Sequence, residues 1–231
     1  MLSSRKEETV KDRSNVVWSG MALACALLAC VVGYAQQDKR PLSPRGSAAA
    51  HVGGTWKDVG RQTFVVGGGT YEGGKWVDIT FGRPLRRGRD IFGSGADYGK
   101  GTLLGAPIWR AGADVSTQLK TEIPLKIGTG TVPVGEYTLF VDLKQNDWTF
   151  VVSRWAAQKT YDPNNKTELW GSYNYTPDKD VLRTKMKLET LAHSREQLTW
   201  EFLDVTKTGG SIALSWDKTL AIVPFTIGSG T

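Results

Sequence analysis

The sequence predicts an all-β protein, a single antiparallel β-sandwich of about eight or nine strands behind an N-terminal signal segment. Three observations carry that prediction. Apolar residues recur at every second position through most of the chain, which is the pattern of strands with one face on a core. Turn-forming residues separate those segments at short intervals. After residue 55 no segment carries a 3.6-residue apolar stripe with caps, so nothing supplies the crossover helices of a parallel sheet.

Composition bounds the rest. The chain has 231 residues, enough for one domain with a substantial core or for two small ones. At 23% charged and 40% hydrophobic it is not a disordered polymer. Its 27 glycines and 9 prolines suit a loop-rich β protein better than a helical one. Only two cysteines are present, which excludes a disulfide-dense scaffold and most zinc folds. The formal net charge of +6 is too diffuse to argue for a nucleic-acid partner, and none is expected.

The first 35 residues read as an address. From Val16 to Tyr34 there is no charged residue, Lys11 and Arg13 stand just before the run, and Gly33-Tyr34-Ala35 offers small residues where a signal peptidase reads. Residues 1–35 are therefore expected to be a signal peptide or a membrane anchor. A helix over the apolar run barely reaches across a bilayer core, which favours cleavage. Leu27-Leu28-Ala29-Cys30 also forms a passable lipobox, although Val31-Val32 continue the apolar run past the cysteine. The destination is periplasmic or secreted, with an inner-membrane anchor or a lipoprotein as alternatives. The membrane is a partner only through this segment, if it is uncleaved. Cleavage after Ala35 removes Cys25 and Cys30, leaving no thiol nucleophile and no disulfide.

Residues 36–54, with Pro41, Pro44, Gly46 and an alanine run, have no apolar period and are expected to be a flexible tether. The β-domain is expected over 55–231. Val77, Ile79 and Phe81 share one face of its first clear strand. Tyr137, Leu139 and Val141 alternate with Thr138 and Phe140, and Trp148, Phe150 and Val152 with Thr149 and Val151. Leu182, Thr184, Met186 and Leu188 alternate with Arg183, Lys185 and Lys187 in what reads as one strand. Leu198–Phe202 and Ile212–Trp216 follow, joined by a hairpin at Thr208-Gly209-Gly210. Asp217-Lys218 then reads as a turn into Leu220–Phe225, where Pro224 marks a strand end or edge. The tryptophans beyond the leader are expected mostly in the core and on strand faces.

The chemical inventory is thin. His51 and His193 cannot make a three-histidine metal site, and both read as solvated loop residues. No serine sits in a nucleophile elbow. Gly67-Gly68-Gly69 and Gly73-Gly74 precede no helix that could aim amides at a phosphate, so they read as hairpin glycines. Asp162-x-Asn164 resembles the start of a calcium loop, but Lys166 takes the next ligand place. No metal and no cofactor are expected.

Two clusters remain. Arg83, Arg86, Arg87 and Arg89 follow the Val77–Phe81 strand, and Trp109-Arg110-Ala111-Gly112-Ala113-Asp114 comes later. Guanidinium presents a fixed fork of donors suited to carboxylate or phosphate. One reading is structural, with Arg83 or Arg110 paired to Asp114 or Asp90 so that loops are pinned over the sandwich end. The other is a pocket for an anion or sugar acid, with Trp109 and Tyr98 as aromatic walls. The candidate binding residues are Arg83, Arg87, Arg89, Tyr98, Trp109, Arg110 and Asp114, and the ligand is anionic or a carbohydrate. Arg83, Arg110 and Asp114 are expected to meet at one end of the fold.

Phe81-Gly82-Arg83-Pro84, Arg87-Gly88-Arg89-Asp90-Ile91-Phe92-Gly93, Tyr98-Gly99-Lys100 and Trp109–Asp114 resemble successive motifs of one group. It is the exported bacterial domain-of-unknown-function family 2911 (DUF2911). Val132–Phe140, Trp170-Gly171 and Asp180–Arg183 resemble its later segments. The resemblance runs from about Lys75 to Phe225. It implies export and a β-rich fold, and it brings no established activity. The favoured function is a non-enzymatic envelope or secreted binding module. The alternatives are a carbohydrate-active hydrolase working through two carboxylates and a structural envelope protein.

Overall fold

A computed structural model of the chain describes residues 41–57 and 69–228. The expected signal segment, and residues 36–40 of the expected tether, lie outside the described residues. Along the chain run β1 (Arg45–Val52), β2 (Thr55–Lys57), β3 (Thr70–Glu72), β4 (Lys75–Gly82), the single-turn helix α1 (Lys100–Leu103) and β5 (Thr117–Thr121). Then come β6 (Leu125–Ile127), β7 (Gly130–Val132), β8 (Gly135–Asp142), β9 (Thr149–Ser153), β10 (Ala156–Ala157) and β11 (Glu168–Leu169). The last three are β12 (Asp180–Lys185), β13 (Lys187–Thr206) and β14 (Gly209–Ile227).

Two antiparallel sheets carry the fold. One is six-stranded in the order β1-β4-β5-β8-β9-β12, and the other is four-stranded in the order β13-β14-β6-β7. Their facing sides hold the main core. Val77, Ile79 and Phe81 of β4, Leu119 of β5 and Leu139 of β8 meet Ile127, Leu198, Trp200 and Leu214 from the other sheet. Each such side chain contributes about 1.5–3 kcal/mol by leaving water, so the alternation alone selects which face turns inward.

The structure departs from expectation in five places, each with a physical reason. Fourteen strands form among the described residues, against about eight or nine expected. The surplus is mostly in strands of two or three residues, too short for a period of two to register. Residues 45–52 are not tether. They form β1, paired along its whole length with β4 from Arg45↔Gly82 to Val52↔Lys75, with Ala50 and Val52 in the core. Small alanines hid that alternation.

The segment Leu182–Leu188 is not one strand in one sheet. Its alternation is continuous, but β12 pairs with β9 and β13 with β14, so the chain crosses between sheets at buried Met186, whose N–H donates to the Trp148 carbonyl at 3.0 Å. Asp217-Lys218 is a bulge within β14, not a turn. Asp217 has φ 50°, and the buried parity shifts from Ile212, Leu214 and Trp216 to Ala221, Val223 and Phe225 across it. The register slips on the partner strand as well, so His193 stands exposed on β13 and not in a turn. His51, likewise, is a β1 residue.

Finally, β8 and β9 are buried on both faces. Phe140 and Val151 point away from the main core into a second cluster with Ile108, Trp155, Leu169 and Tyr175. The segment that carries β10 and β11 covers this outer side. Thr138 Oγ1 donates to the Trp155 carbonyl there at 2.6 Å.

Candidate functional site

The site begins where β4 ends. A Cβ at Gly82 would run into the Ala113 carbonyl, and one at Gly112 would come within 2.9 Å of Thr117 Oγ1 and 3.1 Å of the Gly82 carbonyl. Phe81-Gly82 and Ala111–Asp114 therefore meet backbone to backbone, and glycine is required by that approach. Ala111 is fully buried with φ 50°, a left-handed conformation that costs an alanine about 1–2 kcal/mol. Its carbonyl accepts Trp200 Nε1–H at 2.8 Å and the Thr117 hydroxyl at 3.2 Å, which hold it there. Asp114, at φ 61°, turns the loop again.

The stretch after β4 is laid along β13. Leu85 bridges Gln197, the Arg86 N–H donates to the Glu196 carbonyl at 2.7 Å, and the Leu198 N–H donates to the Pro84 carbonyl at 3.0 Å. The Arg86 guanidinium lies 3.2 Å from an Asp217 carboxylate oxygen at the β14 bulge. Between this stretch, α1 and the Ala111–Asp114 loop opens a cleft of about 520 Å³. Arg89, Asp90, Arg110 and Asp114 supply its charged lining, and Ile91, Leu104, Trp109 and Trp216 its apolar lining.

The floor is aromatic. Phe92 meets Trp148 edge-on with ring centroids 4.8 Å apart, and Trp109 stacks on Trp216 at 6.3 Å. Trp148 Nε1–H donates to the Tyr98 hydroxyl at 2.7 Å. Burial pushes the Tyr98 phenol up from its ordinary value, and the bond from Trp148 opposes part of that rise.

Arg110 is the pivot. One of its Nη groups donates to the Asp114 carbonyl at 2.7 Å, and its guanidinium lies 5.4 Å from the Tyr173 ring centroid. It also occupies the space a Cβ at Gly171 would need, and Gly171 has φ 67°. Ser116 Oγ donates to the Gly171 carbonyl at 2.8 Å, fastening the same two loops. The Trp109-Arg110 and Trp170-Gly171 motifs are thus two sides of one contact.

Of the residues singled out from sequence, Arg89, Trp109, Arg110 and Asp114 line the cleft. Arg83 does not join them. Its Nε lies 3.4 Å from the Leu198 carbonyl and an Nη 3.3 Å from Thr199 Oγ1, with its stem across Gly46 of β1. The expected meeting of Arg83 with Arg110 and Asp114 therefore fails, because β13 lies closer to hand. Arg87 is exposed, and its N–H donates to Glu196 Oε1 at 2.7 Å. Tyr98 is half-buried and does not line the cleft, so it is not a wall. The expected pairing of Arg110 with a carboxylate is replaced by its bond to a carbonyl. Sequence reasoning missed Leu104, which is 67% exposed at the rim, and Trp216, whose strand parity placed it in the core without showing which end it caps.

Among the described residues no group of three or more His, Cys, Asp or Glu side chains is gathered as a metal site would gather them. A family model described as "Protein of unknown function (DUF2911)" matches residues 68–225, which include every residue that lines the cleft. Searches of curated proteins and of solved structures found no match.

Proposed function

The chain belongs to the DUF2911 family, whose description carries no activity, and from that premise we propose that it is a non-enzymatic binding module for a small ligand bearing a carboxylate or phosphate. One observation carries this reading. Arg89 and Arg110 face the same cleft, and neither is in an ion pair among the described residues. Arg89 spends its Nε and an Nη on the Arg86 and Leu85 carbonyls at 3.0 and 2.6 Å, and Arg110 spends an Nη on Asp114 O. Carbonyl anchors fix a guanidinium without neutralising it, so charge and donors are left for a ligand. Trp109, Ile91 and Leu104 give an apolar wall for the ligand's body, in keeping with the general make-up of small-molecule sites.

Export goes with this reading. It rests on the charge-free run Val16–Tyr34 and the small residues at Gly33 and Ala35. No helix among the described residues is long and apolar enough to cross a membrane. Hydrolysis is the second reading, because Asp90 and Asp114 line the same cleft. A glycosidase acid is kept protonated by an apolar or like-charged setting. Both carboxylates here are exposed, and Asp90 Oδ1 accepts the Gly93 N–H at 3.0 Å, which favours binding.

Calorimetric titration of the full chain with glucuronate, galacturonate and inorganic phosphate tests the proposal. At least one should bind, and Arg110→Ala should weaken it by about tenfold or more, the size of one charge-assisted hydrogen bond. Absence of binding across such a panel, or binding indifferent to Arg110, overturns it. Turnover of a glycoside that is lost in Asp114→Asn would replace it with the hydrolase reading.

A further inference from the structure

A second ring-lined surface lies at the other end of β1 and β4. His51 and Trp76 are cross-strand partners and stack face to face, with centroids 4.3 Å apart and planes within 4°. His51 meets Tyr71 edge-on at 4.7 Å. Tyr71 in turn lies 5.1 Å from Trp56, its partner across β2 and β3. The four rings form one continuous run. A run of this kind normally builds a core, yet Trp56 is 59% exposed and Trp76 45%.

The rings are also held. The Gly54 N–H donates to the Tyr71 hydroxyl at 2.9 Å, and a Cβ at Gly54 or at Gly74 would come within 2.6 Å of Tyr71 ring carbons. Beside them is a hollow of about 390 Å³ walled by His51, Trp56 and Tyr71 and completed by Thr55, Thr206 and Lys207. The β13–β14 turn is tied to this wall. The Gly53 N–H donates to the Lys207 carbonyl at 3.0 Å, and Lys207 Nζ donates to Thr55 Oγ1 at 3.1 Å.

We propose that this hollow is a saccharide-binding site, separate from the cleft. A sugar ring has an apolar C–H face and a rim of hydroxyls. Fixed, exposed indole and phenol faces match the first, and the Thr55 and Thr206 hydroxyls with the Lys207 ammonium match the second. Other occupants fit less well. A stable protein interface takes roughly 800 Å² from each partner, far more than four partly covered rings present. An ammonium ligand in an aromatic cage would face Lys207. A membrane surface favours several basic residues around its apolar anchors, and among the described residues Lys207 is the one lysine or arginine that lines the hollow.

The test is affinity electrophoresis of the full chain through gels containing dextran, xylan, glycol chitin or alginate, with co-sedimentation on phosphatidylglycerol vesicles beside it. At least one polysaccharide should retard the protein. Trp56→Ala should raise the dissociation constant at least tenfold, with the circular dichroism spectrum and melting temperature unchanged, and Trp76→Ala, which removes the ring stacked on His51 and not a wall of the hollow, should raise it less. Tyr161→Ala, which removes a 60% exposed ring outside the hollow, should leave retardation as it was. The proposal is overturned if no polysaccharide retards the chain. It is equally overturned if Trp56→Ala migrates like the parent, or if vesicle binding is what Trp56→Ala abolishes.

Discussion

At the Gly82 end of β4, Trp109, Trp148 and Trp216 are withdrawn from water, and the groups left facing it include Arg89, Asp90, Arg110 and Asp114, with Leu104 at the rim. At the Lys75 end the rings of Trp56 and Trp76 face outward, and polar groups form only a rim. The two ends are separated by the length of one eight-residue strand, roughly 23 Å. Their difference has a local cause. Beyond Gly82 the chain doubles back against β13 and against the Ala111–Asp114 loop, so aromatic side chains find two layers to pack between. At the other end, among the described residues, β2 and β3 pair only with each other, so their rings have a single layer behind them. A tryptophan becomes core or surface according to what lies over it, and its own strand does not decide that.

The largest way to break the comparison is to remove the packing that closes the cleft end. Trp200→Ala takes away a fully buried indole and the donor to the strained Ala111 carbonyl. The cost should be about 3–5 kcal/mol. Thermal unfolding should then shift down by roughly 10 °C for a domain of this size. A loss below about 1 kcal/mol would mean that the Ala111 turn does not depend on that bond.

Gly82→Ala comes next. Its Cβ meets backbone at Ala113, which cannot swing aside, so a cost of about 1–3 kcal/mol is expected. Chemical denaturation should show it as a lower midpoint with an unchanged slope.

Arg110→Ala sharpens the contrast between scaffold and site. The broken pair that sequence reasoning expected would have cost several kcal/mol. The bond is instead made to a carbonyl at a partly exposed position, so about 1 kcal/mol is expected, alongside the loss of anion binding. A fall of 3 kcal/mol or more with ligand binding intact would return Arg110 to a purely structural role.

The smallest effect is at Tyr98, whose hydroxyl accepts the Trp148 indole N–H. Burial holds its phenol above the ordinary tyrosine value, so its folded-state value exceeds its unfolded one. The associated stability is complete below about pH 10 and is lost as pH rises beyond it. Melting temperatures measured from pH 9 to pH 11 should fall in the parent, and Tyr98→Phe should fall less steeply. Parallel curves would show that other groups set the alkaline limit.

Much of the fold was legible because burial writes a period of two. Val77–Phe81, Tyr137–Val141 and Trp148–Val152 all point as their parity required. Parity cannot show which sheet a strand joins, so the crossing at Met186 was invisible. Nor can it separate a bulge from a turn, since both shift the phase, as at Asp217. β1 escaped because alanine carries little apolar contrast. The site was half legible. Glycines beside arginines marked loops that converge, and Arg89, Arg110 and Asp114 do converge. The direction of Arg83 was set by free acceptors on β13, which lies 115 positions away in sequence at Leu198 and leaves no local trace.

The pairing of β1 with β4 bears on where a fragment of this protein can be cut. The family match begins at residue 68, but β1 ends at Val52 and supplies the outermost strand beside β4. A fragment begun at the match boundary would lose Ala50 and Val52 from the interior and bare the whole N–H and C=O row of β4. Such a row recruits strands from neighbouring molecules, so the shortened protein should precipitate or form inclusion bodies. The same material begun at or before Leu42, where the compact unit starts, should remain dispersed.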